Sequence, residues 1–239
     1  MVISNKTVAL TPPVSDVQSV IEVFEDLEAT LWEIKDHRVI FTQTYLEVTK
    51  QIEKDLSHGV YENPEWVKLV IVQFAKKYLS AFYSYQERRF DQVPRAWRIS
   101  FNINKRKNYK VTAQLLLAMN AHIYYDLPLS LNESFSNGFV PDNVKRDYEL
   151  MNRMFKNMIP KFNKNLKRLF DHLYPNEKGL QDFMVFKVLE EMRYDAWGLG
   201  LELYEARGIK QVYTIVKIRK NSISNANLIL RGHFFYPRY

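Results

Sequence analysis

AQLLLAMNAHIYYDLP, residues 113–128, decides how this chain folds. Wound at about 100° per residue, it shows apolar side chains on every side, the mark of a helix buried on most of its surface. Such a helix needs other helices around it. Yet Asn120, His122 and Asp126 stand inside the stretch, and buried polar groups cost free energy unless they are paired. On the wheel His122 and Asp126 lie about 40° apart, with Leu115 and Met119 on their side, whereas Asn120 falls roughly opposite His122. Pro128 is expected to close the helix, because the residue before a proline is biased away from the α conformation.

Amphipathic patterns flank this stretch on both sides. Ser15 or Asp16 can cap a helix carrying Val17, Val20, Ile21, Phe24, Leu27, Leu31 and Ile34 at three-and-four spacing. A second pattern, Phe41, Tyr45, Val48, Ile52 and Leu56, stops at SHG (57–59), with Gly59 as the residue past the cap. Asn63 and Pro64 then open a third, from Val67 through Val70, Ile71, Phe74, Tyr78, Leu79 and Phe82. VPRAWRISFNI (93–103) reads as a shorter helix, and SFSNG (134–138) as a turn. Val144, Tyr148, Met151, Phe155, Met158 and Ile159 mark a long helix that Pro160 should kink or break. Its stripe continues through Leu166, Leu169, Phe170 and Leu173 to YPNEKG (174–179). In the next helix, 180–208, Gly198 and Gly200 predict close packing against a neighbour, since glycine otherwise only weakens a helix. IKQVYTIVKIRK (209–220) is β-branched enough for a strand, but without a sheet to join it is read as helix. The expectation is an all-α fold, one compact domain of seven to nine helices over residues 1–239. Residues 1–13 are expected as a flexible N-terminal segment, and 221–239 as a tail packing on the domain.

Composition narrows the function. The chain has no cysteine, which excludes disulfides, thiolate metal sites and cysteine nucleophiles. Uninterrupted apolar runs fall far short of a membrane span. MVISNKTVALTPP has no apolar signal core, so a cytoplasmic location is expected. The net charge of +7 favours anionic partners in general. KRKNYK (105–110) reads as a basic loop, and Lys161, Lys164, Lys167 and Arg168 as one solvated helix face. Neither belongs to a nucleic-acid motif, so a nucleic-acid role is disfavoured.

The pair His122–Asp126 allows three readings. A carboxylate four residues on can orient an imidazole and raise its basicity. The same two side chains can supply ligands to one metal ion. Or they form a satisfied core hydrogen bond with no chemistry.

FTQTYLEVT (41–49), FAKKYLSAF (74–82), VPRAW (93–97), LLLAMNAHIYYDLPLSL (115–131), DYELMN (147–152) and RYDAW (193–197) together resemble a bacterial family of unknown function. The resemblance covers nearly the whole chain, and its signature is the asparagine–histidine–aspartate–proline motif. It implies a single helical domain and brings no reaction. It also singles out Asn120, His122, Asp126, Pro128, Asp147, Tyr148, Asn152, Arg193 and Trp197, joined by Trp97 and Tyr45. A fainter similarity links the His122–Asp126 spacing to helical zinc-dependent phospholipase C and nuclease enzymes. This chain departs from them in lacking a second such pair, a histidine after Pro128 and an amino-terminal tryptophan ligand. A mononuclear site would need His37, His172 or Asp147 as a further ligand.

The leading expectation is an enzyme with a helix-lined apolar pocket acting on a lipid- or isoprenoid-like small molecule. His122 serves as acid or base, Asp126 orients it, and Asn120 donates to substrate or a neighbouring loop. Arg193, stacked on Trp197 four residues on, contacts an anion or pairs with Asp126 or Asp147. Tyr45, Trp97, Trp197, Asp147 and Asn152 complete the substrate site. The alternatives are a metal-dependent phosphoester hydrolase with His122 and Asp126 as ligands, and a non-enzymatic helical scaffold. Cofactor, metal and oligomeric state are left open.

Overall fold

The computed structural model describes residues 12–103, 111–173 and 185–231. Expectations for residues 1–11, KRKNYK, YPNEKG, the 232–239 part of the tail and the side chains of Leu166 and Phe170 lie outside the described residues. Those described form nine α-helices and no strand. They are α1 (Val17–Glu33), α2 (Val39–Ser57), α3 (Pro64–Gln86), α4 (Arg95–Asn102), α5 (Val111–Met119), α6 (Leu127–Ser136), α7 (Pro141–Leu173), α8 (Val185–Glu205) and α9 (Ile209–Leu230). A 3₁₀ turn at Phe90–Gln92 precedes α4, and a π-helical segment, Asn120–Asp126, joins α5 to α6. None of the described helices is long and apolar enough to cross a membrane.

Local chemistry sets the ends. Asp16 caps α1 by accepting the Ser19 backbone N–H at 2.8 Å, and the Ser19 hydroxyl accepts from the Asp16 N–H, a reciprocal capping box. At the end of α2 the Val60 N–H reaches the Asp55 carbonyl and the Gly59 N–H the Leu56 carbonyl. Gly59, at φ +67°, supplies the left-handed turn this closure needs. α2 is buried from Val39 to Leu46. It carries Thr42, Thr44 and Thr49 in that setting because each hydroxyl donates to the carbonyl four residues back.

The stretch 111–136 runs through the middle of the molecule as α5, the π segment and α6. α3, α4, α8 and α9 all pack on the π segment, and α2 packs on α5. α6 and α8 form the most extensive helix pair. There Gly200 lies so close to α6 that a Cβ on it would stand 2.8 Å from the Leu131 Cβ. Gly198 is different: a Cβ there meets nothing within 4 Å, so only one of the two glycines answers to packing.

Four expectations are corrected. Pro128 does not close the helix, which continues to Ser136. Pro160 does not break α7, which runs unbroken to Leu173. SFSNG is the last turn of α6 followed by a cap at Asn137 and Gly138, not a separate turn. IKQVYTIVKIRK is helical as read, but α9 extends to Leu230, so no tail begins at 221. Lys161, Lys164, Lys167 and Arg168 are all exposed, with Lys161 paired to Glu47 and the Arg168 guanidinium over the Trp32 ring.

Candidate functional site

The site grows out of the π segment. Pro128 has no N–H, and in an α-helix its ring would press on the carbonyl of residue 124. The wider π turn immediately before it moves that carbonyl away. Its hydrogen bonds run five residues back, as from the Leu127 N–H to the His122 carbonyl. Residues four apart then stand almost in line, and His122 Nδ1 lies 3.2 Å from Asp126 Oδ2. The same carboxylate oxygen accepts the Trp97 indole N–H at 2.8 Å. Trp97, from α4, therefore fixes Asp126, and Asp126 fixes His122.

The imidazole sits in an aromatic cage. Phe74 stacks on it with ring centres 3.3 Å apart, and Phe41 and Tyr45 present edges to it at 5.1 and 5.0 Å. His122 is 2% exposed. Its outer nitrogen, Nε2, has no hydrogen-bond partner among the described residues. The His122 side chain forms part of the wall of a cavity of about 50 Å3. Arg193, Tyr45, Tyr148, Met119, Met151 and Phe155 line it as well, and the surface they present is almost wholly apolar.

Arg193 forms another part of the wall. It is 4% exposed. Its Nε donates to Asn152 Oδ1 at 2.5 Å, and its guanidinium lies over the Tyr148 and Phe155 rings, 4.9 and 4.4 Å from their centres. The Tyr148 hydroxyl donates to the Arg193 carbonyl at 2.6 Å, and Trp197 packs on the Tyr148 ring at 4.8 Å. The stack expected between Arg193 and Trp197 is thus interposed by Tyr148. Neither Asp126 nor Asp147 pairs with Arg193: among the described residues no carboxylate forms an ion pair with it.

Burial sets the charge states. It holds the His122 imidazole well below its usual range, with the Arg193 charge acting in the same direction. It pushes Asp126 up to about 8, against the Trp97 hydrogen bond, which favours the carboxylate. Two groups this close titrate as a unit. With the pair holding its proton, Asp126 donates to Nδ1 and Nε2 carries the ring hydrogen. Once the proton leaves, the carboxylate accepts Nδ1–H and Nε2 becomes a free base.

The remaining candidates fall elsewhere. Asn120 Nδ2 donates to the Ser222 carbonyl of α9 at 2.7 Å, away from the cavity wall. Asp147 accepts the backbone N–H groups of Glu62 and Asn63 at 2.9 and 2.7 Å, and Asn63 Nδ2 at 3.1 Å, tying α7 to the α2–α3 connection. His172 bonds the Trp32 carbonyl and stacks on its ring, while His37 sits beside Asp36. Among the described residues, no three His, Asp or Glu side chains converge as metal ligands would. The sequence reading missed Phe74 and Phe41 as walls of the imidazole. Helical periodicity marked both as buried, but it does not say which neighbour a buried ring meets.

A single helical domain built on a cavity-facing histidine, backed by a carboxylate, is the class that fold and site define. The chain belongs to a family of unknown function, DUF5995, whose model matches residues 17–232 and so encloses every described helix. No curated protein and no solved structure matches it.

Proposed function

We propose that this protein is a cytoplasmic small-molecule enzyme in which His122 acts as general acid or base within the apolar cavity. The observation that supports it best is the setting of the imidazole: Nδ1 is held by Asp126, Nε2 has no partner among the described residues, and the side chain lines the cavity. Leaving a buried nitrogen unpaired costs free energy. A proton-transfer catalyst needs one facing its substrate. Asp126 and Trp97 orient the base, and Tyr45 packs against its ring.

The apolar lining favours an apolar or amphipathic substrate of lipid- or isoprenoid-like character. The volume has room for roughly four water-sized spheres. That suits a short ligand or one end of a longer chain, with the flexible Met119 and Met151 able to yield. The metal-dependent alternative finds His122 and Asp126 bonded to each other, with no third ligand among the described residues.

The test is turnover by purified protein of compounds in a small-molecule extract, followed by mass spectrometry. At least one compound should be consumed by wild type and not by His122→Gln, with both chains equally folded by circular dichroism. Consumption by neither, or equally by both, sinks the reading and leaves the pair as a core hydrogen bond.

A further inference from the structure

Arg193 presents a buried charge with no counter-ion among the described residues. Moving a guanidinium out of water is costly unless an anion or several acceptors replace the solvent. Here burial pulls it below its ordinary value, and the groups that raise it are two phenols, Tyr148 and Tyr61, not carboxylates. Two nearby acids are committed elsewhere: Asp126 to His122 and Trp97, and Asp147 to the Glu62 and Asn63 amides. Among the described residues the one acceptor a hydrogen bond gives the guanidinium is Asn152 Oδ1, at Nε. The guanidinium plane is meanwhile fixed by two aromatic rings and by the Tyr148 hydrogen bond to its own backbone. The result is a rigid, buried guanidinium in the wall of a largely apolar cavity that His122 also lines.

We propose that the cavity binds a monocarboxylate with an apolar tail, its carboxylate held by the Arg193 guanidinium and its tail among Val48, Ile52, Val70 and Met151. The planar fork matches a carboxylate in two parallel hydrogen bonds. A phosphate dianion fits less well, because Arg193 is the one permanently cationic side chain among the described lining residues and His122 is held neutral. The proposal rests on reading the His122 cavity as a ligand site, but it does not require turnover there.

Thermal melts of the full chain test it. The probes are sodium butyrate, hexanoate, octanoate and benzoate against sodium chloride of equal ionic strength, the matching alcohols and amides, inorganic phosphate and hexyl phosphate. At least one carboxylate should raise Tm by about 5 °C or more at a hundredfold excess over its Kd. The amide and alcohol of the same length should bind at least tenfold more weakly. Arg193→Lys should weaken the carboxylate at least tenfold and leave the alcohol unchanged; if that variant does not fold, the comparison of acid with amide on the wild type decides. No shift with any carboxylate overturns the proposal, as does equal binding of acid and amide, or tighter binding of hexyl phosphate. Carboxylate binding without any turnover upholds it while removing the acid–base reading. Turnover of a neutral compound without carboxylate binding does the reverse.

Discussion

Asp126 concentrates two hydrogen bonds on one oxygen, and its buried position makes the stability of the whole chain depend on one proton. Its folded value, about 8, lies above the ordinary 3.8. The folded chain therefore keeps a proton that the unfolded chain has released. That stabilisation is complete below pH about 4 and is lost as pH rises through about 8. His122 acts in the opposite sense. Lowered from 6.5, it stays neutral when the unfolded chain charges, so its contribution is lost as pH falls below 6.5. Below that pH the two slopes oppose each other, and between pH 6.5 and about 8 only the Asp126 slope remains. Urea midpoints should therefore fall with rising pH across this window in wild type, and Asp126→Asn should flatten the fall. A wild-type midpoint as flat as that of the variant would contradict the charge states assigned here. If His122 Nε2 is the catalytic base, turnover should climb over the same window, since the free nitrogen appears as the pair loses its proton.

Between elements, the α6–α8 contact and the π segment carry the consequences. Gly200→Ala places a Cβ against the rigid Cβ of Leu131 and near the Pro128 carbonyl, so the helices must separate, at about 1–3 kcal/mol. Gly198→Ala, exposed and with nothing within 4 Å, should instead stabilise by roughly 0.5–1 kcal/mol through helix propensity. Urea unfolding of the two variants checks both signs, and equal effects would refute the packing account. Here the sequence is informative only in part. Two glycines near each other predicted a close approach, but only the partner helix reveals which one makes it. The same holds for the central helix. Its all-round apolar character was legible, because periodicity reports burial directly. Its π winding was not, because a wheel drawn at the α period cannot register an inserted turn; Pro128 was the one residue that hinted at it. The His122–Asp126 pair was legible from spacing that converges in either winding. That Arg193 finds no carboxylate among the described residues was not, because it depends on where Asp126 and Asp147, distant in sequence, send their oxygens.

At the scale of the molecule, long-range hydrogen bonds decide whether nine helices unfold as one. Asp147 satisfies two backbone donors 84 and 85 residues away, and Asn120 holds α9 across 102 residues. One apolar core gathers residues from Val14 to Ile229, whereas Leu199 and Leu203 of α8 and Ile218 of α9 form a small separate cluster between those two helices. α9 is thus fastened by Ile218 and the Thr214 and Lys217 bonds to Glu202 in its first half, by the Asn120 bond, and by Ala226 and Ile229 at its far end. Asp147→Ala leaves the Glu62 and Asn63 amides unpaired and should cost about 3 kcal/mol or more, lowering Tm by roughly 6–12 °C for a chain of this size. Asn120→Ala removes a single neutral bond and should cost about 1 kcal/mol. The two variants differ in more than magnitude. Trp32, Trp66, Trp97 and Trp197 sit on α1, α3, α4 and α8, and none lies on α9, so tryptophan fluorescence does not watch α9 directly, while far-ultraviolet dichroism includes it. In Asp147→Ala the two signals should move down together, because the lost tie lies within the main core. In Asn120→Ala the dichroism should begin to fall before the fluorescence, as α9 frays once its hydrogen bond to the π segment is gone. Coincident transitions in Asn120→Ala would mean that packing on the π segment, not the Asn120 bond, is what binds α9 into the cooperative unit.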